Sequence, residues 1–264
     1  MGPNERNLMN VFSGKRFVVA GSATGIGAAT ARRLGAEGAT VMLGDINIDG
    51  AAAVAGQIVR AGGTATSRQF DMTDPVSIIA LIEAAVDEFG GLDGIANIAA
   101  DMSPDNIGRD VDLVDLDMAV WDHTLRANLT GTVLLCKAAI PHLIKTGGGA
   151  IVNTSSGAAS VGEPVRVAYA VAKSGINALT RHIASAYGPQ GVRANAVAPG
   201  MVLTESGRKN MPAETLDALT DATPLRRLGR PDDIAQAICY LLSDDPVWVT
   251  GQVWHVNGGS GYRD

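Results

Sequence analysis

Short apolar runs alternate with longer amphipathic ones along nearly the whole chain. Residues 16–20 (RFVVA) are continuously apolar apart from the first and run into a glycine loop, the pattern of a strand buried on both faces. Residues 26–35 then read as a helix. The pattern repeats as a strand over 40–44 (TVMLG), a helix over 48–61, a strand over 64–70, a helix over 75–89 and a strand over 94–98. Asp74 and Pro75 supply an N-cap and a first-turn proline for the third of these helices. Further on, the pattern predicts a long helix from about residue 117 to the region before Pro141 and a strand over 150–154. A helix over 169–187, a strand over 193–198, a helix over 231–242 and a short strand over 253–256 follow. Strands alternating with helices mean βαβ units, a parallel sheet and right-handed crossovers. Residues 203–228, interrupted by Gly207, Pro212 and Pro224, are the least regular. They follow the carboxyl end of a strand, where sheets of this kind bind ligands, and form the natural substrate lid.

The 264 residues show no internal repeat and no linker-like shift in composition, so one large α/β domain is expected over residues 1–264. Residues 1–12 are expected to be a flexible N-terminal extension. Hydrophobic residues make up 46% of the chain, ample for a core, and the 32 glycines show no low-complexity period, which assigns them to turns and close backbone approaches. A net charge of −6 argues against nucleic acid as a partner. Cys136 and Cys239 are the only cysteines, too few for a disulfide framework or a CxxC metal site. The first residues lack the apolar core of a secretory signal, and no uninterrupted apolar run approaches membrane-spanning length. The expectation is a cytoplasmic protein with no membrane partner.

Two local patterns carry chemistry. The first is Gly21-Ser22-Ala23-Thr24-Gly25-Ile26-Gly27, between a strand and a helix. Glycines there let the backbone approach a pyrophosphate, and the helix N-terminus adds unpaired N–H groups and partial positive charge. The spacing is GxxxGxG rather than GxGxxG. Asp45 ends the second strand eighteen residues after Gly27. A carboxylate at that place accepts hydrogen bonds from the hydroxyls of an adenosine ribose and repels a 2′-phosphate. Thr24 is not basic, and no Arg or Lys occurs in the ten residues after Asp45, so a 2′-phosphate finds no cationic partner. The second pattern is Tyr169-Ala-Val-Ala-Lys173, which puts a phenol and an ammonium on one helical face. A phenol titrates at about 10, and a neighbouring ammonium can lower that by roughly 1–3 units.

With these residues in their order, joined by Asp71, Asn97, Asn128, Ser156 and the Pro199-Gly200 pair, the chain resembles the short-chain dehydrogenase/reductase family over roughly residues 13–259. The resemblance implies a Rossmann-type, doubly wound parallel sheet of about seven strands with helices on both faces, a nicotinamide cofactor and a homotetramer. It selects Ser156, thirteen residues before Tyr169, over its neighbour Ser155 as the catalytic serine, and Asn128 as the asparagine of a proton relay from Lys173. By the same resemblance Gly21, Ser22, Thr24, Gly25, Ile26 and Gly27 hold the pyrophosphate, Asp45 and Ile46 the ribose, and Asp71 and Met72 the adenine. Asn97 and Ala99 line the middle of the cofactor, Thr154 lies below the nicotinamide, and Pro199, Gly200, Val202 and Thr204 contact its carboxamide end. Tyr169 and Lys173 also touch the cofactor. Where the family commonly has Asn-Asn-Ala-Gly, this chain has Asn97-Ile-Ala-Ala100, which keeps the first asparagine, removes a side-chain amide at Ile98 and restricts the backbone at Ala100.

The expected activity is an NAD-dependent interconversion of a secondary alcohol and its ketone. Met201, Val202, Leu203 and Met211 suggest an apolar, cyclic substrate. The alternatives are a 3-oxoacyl thioester reductase using NADPH, against which Asp45 speaks, a non-catalytic dinucleotide sensor or scaffold, and a nucleotide-sugar epimerase or dehydratase. Four scattered histidines give no metal site, and no nucleophile elbow surrounds Ser155 or Ser156. The acidic stretch 110–117 fails the calcium-loop pattern and reads as solvated loop and helix N-terminal charge. Trp121, Trp248 and Trp254 read as packing residues. Glu163 and Arg166 can touch substrate or a neighbouring subunit, with a surface loop as the plainer reading. The tetramer would pair the helices over 117–139 and 174–187 with their symmetry mates and use the C-terminal segment as a second interface.

Overall fold

The computed structural model describes residues 10–204 and 211–261. Seven parallel strands form one sheet: β1 (Arg16–Ala20), β2 (Thr40–Asp45), β3 (Thr64–Gln69), β4 (Gly94–Asn97), β5 (Gly149–Thr154), β6 (Val192–Pro199) and β7 (Val253–Val256). Their order across the sheet is β3-β2-β1-β4-β5-β6-β7. Successive strand residues face opposite sides, so Phe17 and Val19 enter one core layer while Val18 and Ala20 enter the other. The first layer is closed by α1 (Gly25–Ala36), α2 (Ile48–Arg60) and α9 (Pro231–Leu242), through Leu34, Ile58 and Ile238 among others. The second is closed by α3 (Pro75–Phe89), α6 (Gly131–Lys145) and α7 (Val167–Tyr187), through Leu81, Leu135 and Ile183. The chain works outward from β1 to β3, then returns to pair β4 with the other side of β1. That reversal opens a crevice at the carboxyl ends of β1 and β4, the doubly wound geometry the alternation implies.

Several details depart from the sequence expectation. Phe12, expected in a flexible extension, is 2% exposed, packs edge-on against Phe17 at 5.2 Å and donates its N–H to the Glu37 carbonyl. Residues 1–9 lie outside the described residues. The long helix does not stop before Pro141. It runs as α5 (Met118–Leu125), a π-helical turn (Arg126–Thr130) and α6, with Pro141 inside the last segment. Pro141 and Lys137, whose carbonyl loses its helical partner, are both exposed, so water can replace the missing bond. By length and composition the run Met118–Lys145 could cross a membrane, yet it packs on α3 and α7 as a core element of this domain. Two regions read as loops carry short helices, α4 (Pro104–Ile107) and α8 (Ala213–Ala222), the latter within the expected lid. Residues 205–210 of that lid lie outside the described residues. Trp254 stacks on Tyr240 at 5.5 Å, but Trp248 is 96% exposed.

Candidate active site

The glycine loop closes on itself because two of its positions have no room for a side chain. Gly21 has a φ of +85°, and a Cβ on it would lie 2.5 Å from the Ala99 nitrogen; on Gly27 it would lie 1.7 Å from the Gly21 carbonyl oxygen. The loop therefore presses α1 against β1 and against the segment after β4, where the Ala99 N–H donates to the Ala20 carbonyl. Asp45 fixes the other side. Its carboxylate accepts the Ala23 N–H at 2.8 Å and the Asn47 N–H at 2.9 Å, so it stands against the loop at the end of β2. Ile46 beside it is 67% exposed. Ser22 is fully buried and donates its hydroxyl to the Gly44 carbonyl, which makes it a tie between loop and β2. Thr24 and Ile26 flank Gly25, and the Thr204 methyl lies 3.3 Å from where a Gly25 Cβ would stand, so the chain after β6 reaches over the loop.

Along the crevice, Asp71 folds the turn after β3 by accepting both the N–H and the hydroxyl of Thr73 at 2.7 Å. Met72 is buried in the second core layer, against Gly131. Asn97 ends β4 with its side chain buried and both amide atoms without a partner, and the Thr154 hydroxyl at the end of β5 is likewise buried and unpartnered. Buried polar groups without partners are rare and costly. Their placement beside a loop that admits only backbone fits a polar ligand lying across the switch point, with hydrogen bonds to give it.

A cavity of about 440 Å³ opens at the ends of β5 and β6, lined by Thr154, Ser156, Tyr169, Lys173, Pro199, Gly200 and Val202, with Met102, Val161 and Met201 adding apolar wall. Ser156, Tyr169 and Lys173 thus meet in one space, while Ser155 is turned inward, its hydroxyl on the Lys173 carbonyl at 3.4 Å. Ser156 also caps a short 3-10 turn, its Oγ accepting the Ala158 N–H. Lys173 is 2% exposed; Nζ donates to the Thr154 carbonyl at 2.9 Å and lies 5.6 Å from the centroid of the Tyr169 ring. Burial pushes its ammonium down to about 8. Tyr169 does not show the lowered pKa that the Tyr–Lys spacing leads one to expect. Its phenol is raised, because burial of the phenolate outweighs the opposing pull of the Ser156 hydroxyl and the Arg166 charge. The same burial that brings Lys173 to the ring penalises the charged form of both groups.

Asn128 sits on the π-helical turn, fully buried, with Oδ1 accepting the Asp101 N–H at 3.1 Å and Nδ2 buried without a partner. A π-turn inside an α-helix often marks a functional position, and here it packs on α7, where Leu129 lies against Gly175.

Asp110 is a residue the sequence reading missed. Rather than solvated loop, it is 2% exposed and reaches the first turn of α7, taking the Ala168 N–H at 3.0 Å and the Tyr169 N–H at 2.8 Å on its carboxylate. Its own carbonyl takes the Arg166 N–H at 2.7 Å. One signal was available: Pro164, Val165 and Arg166 before the helix cannot cap it, so the cap must come from elsewhere. The rest of that stretch matches the expectation, with Asp117 capping α5 through the Ala119 N–H and pairing with Arg109. Glu163 and Arg166 are not plain surface loop either; both line the cavity.

Comparison with known proteins agrees with this architecture. The family profile described as enoyl-(acyl carrier protein) reductase matches residues 20–261. A probable short-chain type dehydrogenase/reductase of Bradyrhizobium diazoefficiens is 40% identical over 255 residues, 95% of this chain and 89% of that protein. Cis-4-hydroxycyclohexanecarboxylate dehydrogenase of Sinomonas cyclohexanicum is 40% identical over 251 residues, 94% of this chain and 97% of that protein. A solved structure of 7α-hydroxysteroid dehydrogenase complexed with NADH and 7-oxo glycochenodeoxycholic acid superposes with a TM-score of 0.89 at 32% identity, covering 96% of this chain and 97% of the other. Likeness that extends from the glycine loop past β7 identifies this chain as an oxidoreductase that belongs to the short-chain dehydrogenase/reductase family.

Proposed function

We propose that the protein interconverts a secondary alcohol and its ketone using NAD(H), with Tyr169 as the general acid and base. The observation that carries this reading is the convergence of Ser156, Tyr169 and Lys173 on one cavity beside the glycine loop. The crevice fits a dinucleotide: Gly21 and Gly27 leave backbone for its phosphates, Asp45 offers a carboxylate for its ribose, and the unpartnered Asn97 and Thr154 groups have bonds to give. Bound there, the nicotinamide supplies or accepts the hydride. The chain's own work is protonic and positional. Tyr169 gives its hydroxyl proton to the carbonyl oxygen in reduction and takes it back in oxidation. Ser156 donates to the same oxygen and holds it at the tyrosine. Lys173, close to its titration midpoint near pH 8, replenishes or removes the proton, and Asn128 holds a buried, unpartnered amide donor that can serve the relay.

NAD rather than NADP is favoured by Asp45 and by the lack of a basic side chain near it. A cyclic, largely apolar substrate is supported by the cavity walls and by the cyclohexane and steroid compounds in the names of the two relatives above. A cytoplasmic homotetramer is part of the same reading, supported by exposed Val133 and Val171 on α6 and α7 and by Val247 and Trp248 near the C-terminus; light scattering that finds a stable monomer at micromolar concentration would exclude it. The central test is Tyr169→Phe, assayed on a panel of cyclic alcohols. Turnover should fall at least a hundredfold while NADH affinity by fluorescence titration stays within about twofold. Retention of a tenth of the wild-type kcat would refute the role of the phenol.

A further inference from the structure

Between Ser156 and Tyr169 the cavity wall carries two charges, Glu163 and Arg166. Arg166 has a φ of +66°, the left-handed region that a residue with a side chain enters only at a cost. The conformation is held from outside, by the Arg166 N–H on the Asp110 carbonyl at 2.7 Å, and the next turn holds Tyr169. A strained backbone fixed three residues before Tyr169 sets the direction in which this side chain leaves the chain. The guanidinium pairs with Glu163 through Nη2, and among the described residues it has no other partner. It keeps 38% of its side-chain surface open, and the cavity it lines has apolar wall from Met102, Ala158, Val161, Met201 and Val202, with Asn257 and Ser260 among its polar lining. A guanidinium is a planar fork with two usable edges. Glu163 takes one through Nη2; the other is open to a planar anion in bidentate fashion.

We propose that Arg166 binds a carboxylate carried by the substrate, so that the enzyme's substrate class is an alicyclic hydroxy acid and its oxo acid, with the ring against the apolar wall. This rests on the alcohol–ketone reading of the site. Glu163 orients the arginine and, by its own charge, moderates the affinity for the anion. A neutral polyol, the other chemistry an ion pair can serve, would use both charges as hydrogen-bond partners and would need Glu163 as much as Arg166.

The test uses matched pairs, each a hydroxy acid and its methyl ester, built on 4-hydroxycyclohexanecarboxylate and on a hydroxysteroid acid, assayed with NAD. Wild-type kcat/KM should favour the acid by at least tenfold. Arg166→Asn, chosen because asparagine tolerates the left-handed conformation, should cut that preference at least tenfold, mainly through KM for the acid. Arg166→Lys should recover only part of it, since a point charge lacks the fork. Glu163→Gln should lower KM for the acid severalfold. Because Arg166 also pulls on the Tyr169 phenol, Arg166→Asn should move the pH profile of ester turnover upward. Turnover of esters without a preference for the acids, or a preference that survives Arg166→Asn, overturns the carboxylate site alone. Weaker acid binding in Glu163→Gln does the same and points to the polyol. Absence of turnover on every pair, with another secondary alcohol oxidised, overturns this proposal alone; absence of turnover with every alcohol tried overturns the alcohol–ketone reading with it.

Discussion

Asp110 makes the structure's strongest demand on a residue far from the motifs. Replacing it with alanine strips two buried N–H groups, those of Ala168 and Tyr169, of a charged acceptor at 3.0 and 2.8 Å. Hydrogen bonds to a charged group contribute about 1.5–3 kcal/mol each, so the pair is worth roughly 3–6 kcal/mol. Loss of a carboxylate from the N-terminus of α7 adds about 0.3–1 kcal/mol through the helix dipole. At 2% exposure, little water reaches the site to make up the difference. If the whole domain bears the cost, Tm falls by roughly 6 °C or more, at about 2–4 °C per kcal/mol for a chain of this size. If the first turn of α7 frays instead, the fold survives and Tyr169 shifts; a displacement of about 1 Å can cost on the order of 10²-fold in rate. The carbonyl that holds Arg166 is backbone and remains in either case. Asp110→Asn keeps one acceptor but turns an amide NH₂ toward the second N–H, and should lie between wild type and alanine. The assay is calorimetry beside steady-state kinetics and NADH titration. The expected result is a large loss of kcat, an NADH affinity within about twofold of wild type, and a graded order of wild type, Asn, Ala. A kcat within twofold and a Tm within about 2 °C for the alanine variant would refute the capping role.

Cofactor choice should follow Asp45. Wild-type kcat/KM for NAD should exceed that for NADP by about 10²-fold, or 2.7 kcal/mol, because the carboxylate gains ribose hydrogen bonds and meets a 2′-phosphate with like charge. Asp45→Ala should erase most of the gap, and adding Ile46→Arg, at a position open to solvent, should begin to reverse it; equal use of both cofactors by the wild type would place Asp45 away from the ribose. Lys173 should reveal itself in stability. Its pKa falls from 10.5 unfolded to about 8 folded, so the unfolded state binds more protons between those values and stability rises with pH across that window. The penalty is complete below about pH 8, and a shift of this size corresponds to about 3 kcal/mol, less whatever the bond to the Thr154 carbonyl returns. Lys173→Met should therefore be inactive yet melt higher than wild type at pH 7, with the difference closing toward pH 10; a variant that melts lower at pH 7 would show that the ammonium is a net stabiliser.

The sheet was legible because its strands are short apolar runs set between helical ones, and a parallel sheet covered on both faces produces that pattern. The boundaries shifted by a few residues where hydrogen bonding, not hydrophobicity, decides. The π-turn at Arg126–Thr130 is a slip in ladder register inside an ordinary helical sequence, and nothing in composition marks it. Phe12 looked like part of a tail because its partner, Phe17, lies across a turn, and only the fold shows the edge-on contact. Trp248 read as a packing residue, as a large aromatic side chain usually is, and its exposure is a tertiary fact.

In the site, legibility followed sequence distance. The glycine loop and the Tyr169–Lys173 pair are local, since a turn and one helical face bring their atoms together without help from the rest of the chain. Their electrostatics are not local. The ammonium that should have lowered the phenol is itself desolvated by the packing that delivers it, so the pair's balance depends on burial that no spacing encodes. Asp110 and Tyr169 are 59 residues apart, and each side of that contact shows in the sequence only as an anomaly. One is the helix that carries Tyr169, without a capping residue at its start; the other is an aspartate at the head of an acidic stretch that fits no metal loop. Each anomaly has a bland explanation when taken alone. A helix end that must be buried beside an active site cannot leave its N–H groups unpaired, however, and that requirement turns an uncapped helix in a sequence into a search for a distant acceptor.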